Sequence, residues 1–248
     1  MAGTQAVKAY LDILSQPCRA VLIFLKSNKI PHTVEQIVIR KGQQKSPAFT
    51  KLNPMQRVPV LDNNGFVLTE RYIFVKKRES IYNAPDHWYP KLSQKRAQVD
   101  EYTAWHHGNT RMHISTIFLQ EVRFPMLGVP TNPAKFEKAL KELDGTLNML
   151  ENMFLKRQTF LCGEDISLAD LLAVCELMQP MCGGRDVLKD RRKLQSWRSL
   201  PSDAGVKSYS EYSLNEEASL DHTHQSQTHR CFETKSLFLS PPDVYLPA

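Results

Sequence analysis

The first part of the chain alternates short apolar runs with residues that favour turns. Residues 7–14 are mostly apolar and include aromatic and β-branched side chains, which predicts a buried strand. The chain then changes direction, since Pro17 fits the first position of a helix, which should stop near Asn28. Residues 33–39 have the composition of a second strand. The pattern therefore predicts a βαβ unit with Ser15 at the corner between strand and helix.

A short helix and a β-hairpin are predicted next. Ser46-Pro47 is a helix start, and Asn53-Pro54 is a helix end. Residues 57–69 predict the hairpin, because two apolar runs flank the turn sequence Asp-Asn-Asn-Gly. Pro59 stands at the mouth of the first strand, where proline needs an edge position, a strand start or a cis peptide bond. If the bond is cis, the neighbouring backbone is exposed for pairing with a ligand.

The second half of the chain has helical periodicity. Val99, Tyr102 and Trp105 recur at helical spacing and are interpreted as core contacts. Asn132-Pro133 opens a long helix with a continuous apolar stripe, which is typical of a helical bundle. The stripe comprises Phe136, Leu140, Leu143, Leu147, Leu150 and Phe154.

A further helix start has the pattern of a capping box. Ser167 and Asp170 are three residues apart, so that each side chain can satisfy a backbone N–H of the other. Ile166 and Leu171 flank the pair as a hydrophobic staple. Asp170 is therefore interpreted as a structural residue and not as a catalytic acid.

Composition limits the class of protein. With 248 residues and 42% hydrophobic content the chain can bury a sizeable core, and we expect two domains. A net charge of +6 permits an anionic partner, but the basic residues are scattered and no nucleic-acid-binding motif is present. We therefore expect a small acidic ligand and no nucleic acid. No apolar run approaches membrane-spanning length, and no apolar segment follows the first residues, so no membrane partner is expected.

The cysteines point to a reducing compartment. They number five and form no C-x-x-C pair or regular framework. We expect the cytosol, with the nucleus as an alternative location. Cys18 suggests redox chemistry, but a single thiol beside an apolar helix is more often buried and inert.

The corner at Ser15 is the candidate site of chemistry. The free N–H groups of a helix start, together with the helix dipole, favour a bound anion or thiolate near its hydroxyl. The alternative is that Ser15 caps the helix, which is a position that serine prefers. Without further context, capping is the more common role for such a serine.

The order of these elements resembles a known family. The βαβ unit, the short helix, the Val58-Pro59 hairpin and a helix start at Thr69-Glu70 resemble the thioredoxin-like domain of the glutathione transferases. The run 10–20, Tyr-Leu-Asp-Ile-Leu-Ser-Gln-Pro-Cys-Arg-Ala, is similar to the theta class in particular. The resemblance implies an α/β plus all-α fold, with a thioredoxin-like glutathione-binding domain at 7–84 and an all-helical domain at 91–198.

The resemblance also implies the chemistry. A thiol is only slightly ionised at neutral pH unless something stabilises the thiolate. In theta transferases the serine matching Ser15 donates its hydroxyl hydrogen to the glutathione thiolate, and the helix start adds positive potential. That thiolate would attack a small hydrophobic electrophile such as a halide, an epoxide or an activated ester, or reduce a hydroperoxide, which implies a role in detoxification. Glutathione is a co-substrate, and no cofactor is expected.

Further site residues follow from the resemblance, position by position. Gln44 matches a position near the glycine end of glutathione. Arg57 and Val58 match the pair ahead of the proline, with Val58 binding through its backbone. Glu70 matches the acid that receives the γ-glutamyl amine. Arg111, expected on the first long helix of the second domain, matches an arginine on the electrophile side, its alternative being a solvated cation on a helix face.

The sequence departs from the family after Glu70. Arg71 stands where the family has a serine that holds the γ-glutamyl carboxylate, and it could pair with that carboxylate or fill the site with its bulk. Residues 71–80 are β-prone and include Lys76-Lys77-Arg78, interpreted as a solvated turn, where the family has an amphipathic helix. Since family dimers use this helix, we expect a homodimer if the helix forms.

The resemblance stops after residue 198. Residues 199–248 are rich in Ser, Thr, His and acidic residues without a sustained apolar period, which predicts a disordered tail. A full theta enzyme carries helices here that cap the electrophile pocket, so second-substrate binding should be weaker. No metal site is expected, although the tail contains four side chains with metal-ligand atoms. These are His222, His224, His229 and Cys231.

The sequence supports two alternative hypotheses about function. The leading hypothesis is a theta-like glutathione transferase, supported by Ser15 and Glu70 in the expected order. The alternative is a catalytically weak or inactive module of the same fold that binds glutathione or a partner, which Arg71 and the altered tail favour.

Overall fold

The computed structural model describes residues 6–69 and 84–200. Within these ranges, four strands form one mixed sheet in the order β2-β1-β3-β4. β2 is parallel to β1, whereas β3 is antiparallel to β1 and β4 is antiparallel to β3. This sheet confirms the thioredoxin-like part of the predicted fold. The strands are β1 (Val7–Leu11), β2 (His32–Gln36), β3 (Val60–Asn63) and β4 (Phe66–Leu68).

Two helices belong to the sheet domain. Helix α1 (Gln16–Ser27) connects β1 to β2 and begins where Pro17 was expected to open it. It ends at the predicted place, where the Asn28 side chain donates to the carbonyl of Phe24 at 2.8 Å. Helix α2 (Pro47–Leu52) is capped by the hydroxyl of Ser46, as the Ser-Pro start predicts.

Both strands of the βαβ unit are shorter than predicted. The first ends at Leu11 and does not extend to residue 14, because a carboxylate oxygen of Asp12 accepts the N–H of Leu14 at 3.0 Å and turns the chain. The second ends at Gln36, since the other oxygen of Asp12 accepts the N–H of Ile39 at 2.9 Å, where a 3₁₀ turn begins. One side chain therefore sets the ends of both strands.

The hairpin is confirmed. Asn64 and Gly65 link β3 to β4 with φ angles of 57° and 85°, which is the left-handed backbone that this turn requires. The Val58–Pro59 peptide bond is cis, one of the three arrangements that the position of the proline allowed.

The rest of the described chain is helical, as predicted. Helix α4 (Thr110–Phe118) continues into a π-helical turn at Leu119–Arg123, and a last α-helical turn, Phe124–Met126, follows it. Helix α5 (Pro133–Met149) continues into a π-helical turn at Leu150–Phe154. No helix in the described ranges is long and apolar enough to cross a membrane. The helices are α3 (Ser93–Gly108), α4 (Thr110–Phe118), α5 (Pro133–Met149), α6 (Leu168–Leu177) and α7 (Arg192–Arg198), with 3₁₀ turns at Ile39–Lys41, Gln43–Lys45, Asp86–Trp88 and Gln179–Gly183.

The predicted apolar stripe of α5 lies in the core of the helical domain. Phe154 at its end is buried and contacts the ring of Tyr102 edge-on at 5.1 Å and that of Trp105 at 5.0 Å. Leu143 and Leu147 are also buried, whereas the residues at the start of the stripe are half-buried. The interpretation of these residues as core contacts is confirmed.

The sheet domain and the helical domain share one continuous core. Helix α1 packs against α6, and buried residues of both belong to the same cluster. Trp88, which is fully buried, packs edge-on against Phe24 of α1 at 5.4 Å and donates its indole N–H to Asn28 at 3.0 Å. Ser15 stands at the start of α1. The contacts that hold α1 against α6 therefore also fix the position of the Ser15 corner relative to the helical domain.

Candidate functional site

Ser15 lies at the predicted corner and is half-buried. Its N–H donates to the carbonyl of Asp12 at 2.9 Å, and its own carbonyl accepts the first hydrogen bond of α1 from Arg19 at 3.0 Å. Its hydroxyl makes no capping bond to the helix, so the interpretation of Ser15 as a helix cap is wrong for the side chain. The hydroxyl instead lies near the thiol of Cys18 and lowers the pKa of that thiol.

Cys18 is inert in this position. Burial raises the pKa of its thiol to about 12, and hydrogen bonds from the Ser15 side chain and the Asp12 backbone offset that rise in part. The side chain is fully buried. The thiol therefore stays protonated at neutral pH, which confirms the interpretation of Cys18 as a buried, unreactive residue.

The loops assigned to the site meet at one edge of the sheet. At the carboxyl end of β1, Leu11 pairs with Gln36 of β2, while Tyr10 pairs with Val60 of β3. The end of β1, the exit of β2 and the start of β3 are therefore neighbours. The chain segments beside these three strand ends carry Ser15, Gln44 and Val58.

Gln44 lies in the 3₁₀ turn Gln43–Lys45. Its amide oxygen is buried, and no hydrogen-bond donor in the described part of the chain reaches it. A buried acceptor without a partner costs free energy, so a donor supplied by a ligand would be favourable there.

The loop that carries Arg57 and Val58 is held by a side chain that the sequence interpretation missed. Asn53 is fully buried; its amide donates to the carbonyl of Arg57 at 2.8 Å, and its amide oxygen accepts the N–H of Met55 at 3.0 Å. Arg57 itself is exposed, and Val58 packs against the core ahead of Pro59. The sequence predicts only a helix end at the Asn-Pro pair, whereas the buried asparagine also fixes the backbone that follows it.

Arg111 requires two corrections. It lies on α4, and not on the first long helix, because α3 ends at Gly108, where the Asn109 side chain donates to the carbonyl of Trp105 at 2.8 Å. It is also not a solvated cation, since its guanidinium pairs with the buried carboxylate of Glu176 on α6 and is 27% exposed.

Asp170 has a structural environment. The Ser167 hydroxyl and N–H each donate to it at 2.9 Å, the Leu161 N–H donates at 2.8 Å and the Trp197 indole at 2.9 Å. Burial raises the pKa of this carboxyl, and the four donors oppose the rise. Asp170 therefore joins the start of α6 to α7. Its side chain is buried, which agrees with its interpretation as a structural residue.

Several predicted site residues lie outside the described ranges. These include Glu70 and Arg71, the segment 71–80 and the tail with its four candidate metal ligands. Among the described residues, no group of three or more His, Cys, Asp or Glu side chains could hold a metal ion.

Family models match both parts of the chain in order. The model for the "Glutathione S-transferase, N-terminal domain" covers residues 15–71, and the model for the "Glutathione S-transferase, C-terminal domain" covers residues 112–200. The first match begins at Ser15 and spans Gln44, Arg57 and Val58.

Curated proteins and solved structures agree with these matches. Glutathione S-transferase theta-3 of Mus musculus and theta-1 of Homo sapiens are each 45% identical over 193 residues, which is 77% of this chain and 80% of theirs. The apo structure of human glutathione-S-transferase T1-1 matches with a TM-score of 0.78 and 39% identity over 96% of this chain and 94% of that one.

A second solved structure contains a ligand. It is a human theta-class glutathione transferase in complex with the glutathione conjugate of 1-menaphthyl sulfate, and it matches with a TM-score of 0.77 and 32% identity over 92% of this chain and 98% of that one. The sheet edge, the Ser15 corner and these likenesses lead to one conclusion: the chain belongs to the theta class of the glutathione S-transferases.

Proposed function

We propose that the chain binds glutathione at this edge of the sheet and that the Ser15 hydroxyl donates a hydrogen bond to the glutathione thiolate. The observation that supports this most directly is that the Ser15 side chain does not cap α1. The N–H groups at the start of α1 therefore keep their positive potential for a ligand. A thiolate beside the hydroxyl would be stabilised both by the hydrogen bond from Ser15 and by the positive potential of the helix start.

A single hydrogen bond from Ser15 is strong enough to lower the pKa of the glutathione thiol towards neutral pH. A hydrogen bond to a charged group contributes about 1.5–3 kcal/mol. Since one pKa unit corresponds to about 1.4 kcal/mol, such a bond lowers the pKa of the bound thiol by about one to two units. A free thiol titrates near pH 8.5, so this shift brings the pKa of the bound thiol to about 6.5–7.5 and makes the thiolate a substantial fraction at neutral pH.

Cys18 supports this arrangement through its protonated state. A thiol with a pKa of about 12 carries its hydrogen at neutral pH. Because the Cys18 thiol stays neutral, it does not compete with the glutathione thiolate as a charged acceptor for the Ser15 hydroxyl.

We assign the remaining glutathione contacts from the sequence resemblance to the family. Gln44 would bind near the glycine end of glutathione, and Arg57 would lie beside it. The Val58 backbone would form hydrogen bonds with the peptide backbone of glutathione. Glu70 would receive the γ-glutamyl amine, and Arg71 would pair with the γ-glutamyl carboxylate. The unpartnered amide oxygen of Gln44 supports the first of these assignments.

The second substrate is a small hydrophobic electrophile. The thiolate forms a sulfur–carbon bond to a halide, epoxide or activated ester while the leaving group departs or the ring opens. In the related reduction it attacks a hydroperoxide oxygen, which releases the alcohol and leaves glutathione sulfenic acid, and a second glutathione converts this to the disulfide and water. Arg111 is assigned to the electrophile side, with Glu176 holding its guanidinium in place. This proposal includes a role in detoxification, a cytosolic or nuclear location, no resident cofactor and a homodimer.

The test is the Ser15→Ala variant. We expect kcat/KM for a small alkyl halide to fall about ten- to a hundredfold at neutral pH, which corresponds to the loss of a hydrogen bond to a charged group. The pH profile should shift to higher pH by about one to two units. Calorimetry should show nearly unchanged affinity for glutathione, because the peptide contacts remain.

The matched control is Ser27→Ala, at the other end of the same helix. The Ser27 hydroxyl is buried without a hydrogen-bond partner among the described residues, so its removal should leave activity unchanged. Equal losses in both variants, or an unshifted pH profile in Ser15→Ala, would show that Ser15 is not the donor to the thiolate.

A further inference from the structure

A buried arginine lies one helical turn after Ser15. Arg19 is 8% exposed on the first turn of α1, between the buried side chains of Cys18 and Ala20. A guanidinium cannot lose its charge, so burial in this apolar setting requires several hydrogen-bond acceptors.

The guanidinium joins two distant parts of the chain. One of its terminal nitrogens donates to the carbonyls of Ile13 and Leu14, at 3.1 and 3.2 Å, in the loop that ends at Ser15. The other donates to the carbonyl of Cys175 in the last turn of α6 at 3.1 Å and to the side-chain oxygen of Gln179, which begins the 3₁₀ turn after α6. Arg19 therefore fixes the loop before Ser15 to the helical domain.

This contact acts on the peptide that orients Ser15. The carbonyl of Leu14 and the N–H of Ser15 belong to one planar peptide group, and that N–H donates to Asp12 at 2.9 Å. With both ends of the peptide group held, the direction of the Ser15 Cα–Cβ bond is restricted. The planar fork of the guanidinium supplies several donors in fixed directions, which an ammonium cannot do.

We propose that Arg19 is a positioning residue for the thiol chemistry: it aims the Ser15 hydroxyl by holding the carbonyls of Ile13 and Leu14 against the end of α6. This inference rests on the proposed role of Ser15 as the donor to the glutathione thiolate. It assigns α6, through Cys175 and Gln179, a part in setting the reactivity of a thiol bound on the sheet domain.

Charged and titratable groups lie at both ends of the contact that Arg19 makes, near Cys18 on the sheet domain and next to Cys175 in the sequence of α6. On the sheet domain they are Asp12, Cys18 and Arg19 itself. On the helical elements Glu176 of α6 pairs with Arg111 of α4 and lies 3.9 Å from His106 of α3.

The test compares four variants with the wild-type protein. Arg19→Met removes the guanidinium, Arg19→Lys keeps the charge without the fork, and Gln179→Met removes one acceptor while leaving Arg19 in place. Arg191→Met is the matched control, because Arg191 is 15% exposed and its guanidinium also joins distant elements through Asn148, Glu151 and Asp144 in the helical domain.

Four quantities separate positioning from stability. They are the pKa of the bound glutathione thiol from the pH profile of kcat/KM, the ultraviolet difference absorbance of the thiolate, the Kd for S-methylglutathione, and Tm. We expect both Arg19 variants to raise the thiol pKa by about one unit, which lowers kcat/KM about tenfold below that pKa. Gln179→Met should give a smaller rise in the same direction.

The Kd for S-methylglutathione should stay within about threefold of the wild-type value, since that ligand has no thiol to ionise. Arg191→Met should lower Tm without changing the thiol pKa. The inference is overturned if Arg19→Lys and Gln179→Met keep the wild-type thiol pKa, or if Arg191→Met raises it equally. If Ser15→Ala itself leaves the thiol pKa unchanged, the proposed function has failed; if Ser15→Ala raises it and the Arg19 variants do not, the positioning role alone has failed.

Discussion

At the scale of single residues, a glycine lies where two elements of the helical domain approach each other closely. Gly183 ends the 3₁₀ turn after α6 and faces the π-helical turn that follows α4. A Cβ added at Gly183 would lie 2.8 Å from the Cγ2 atom of Val122. Valine is stiff at χ1, so it cannot easily move away. We expect Gly183→Ala to lower the free energy of unfolding by about 1–3 kcal/mol, measured by urea denaturation.

The control at this scale is Gly145→Ala in α5. In the described structure, no atom outside its own helix lies within 4 Å of a Cβ placed there. Replacing this helical glycine should raise the free energy of unfolding by about 0.5–1 kcal/mol. Similar destabilisation by both substitutions would contradict the assignment of a close contact at Gly183.

At the scale of elements, α6 depends on Asp170. The carboxylate accepts hydrogen bonds from Ser167, from the Leu161 N–H and from the Trp197 indole, so it links the start of α6 to the preceding loop and to α7. An asparagine would direct its NH₂ group at one of these donors. We expect Asp170→Asn to lower the free energy of unfolding by about 2–3 kcal/mol in urea denaturation. The control is Asp165→Asn, at an exposed position in the loop before α6, which should change the free energy of unfolding by less than about 0.5 kcal/mol. Equal effects of the two substitutions would rule out a special role for the Ser167–Asp170 capping box.

Helix ends were predictable from sequence where a local cap sets them. The starts at Ser46, Asn132 and Ser167 are confirmed, because each cap bonds within a few residues of itself. Strand ends were not predictable in this way. The end of β2 depends on Asp12, which lies far away in the sequence, and no local pattern shows that the two segments meet.

At the scale of the whole molecule, the fold class followed from the family resemblance that the order of elements carries, whereas the order of the strands in the sheet came from the structure. For the candidate site, the sequence predicted the strand-to-helix corner at Ser15 and the special backbone at Val58-Pro59, whereas the roles of these residues toward glutathione stay predictions. The residues that support them were missed, since their roles depend on which distant elements pack together. Arg19 and Gln179 become partners only because α1 lies against α6. A charged residue within an apolar helix face was the available signal for Arg19.

The last prediction concerns the full chain, including residues that the structure does not describe. By the sequence resemblance, Arg71 stands at the position of a serine expected to hold the γ-glutamyl carboxylate. If the guanidinium pairs with that carboxylate, the Arg71→Ser variant should bind glutathione about tenfold more weakly by calorimetry, a loss of about 1.4 kcal/mol. Lys77→Ser removes the same charge from the neighbouring basic run and should leave the Kd unchanged. Tighter binding by Arg71→Ser would mean instead that the arginine occupies the glutathione site. The chain would then act as a weak or inactive binding module and not as an efficient transferase.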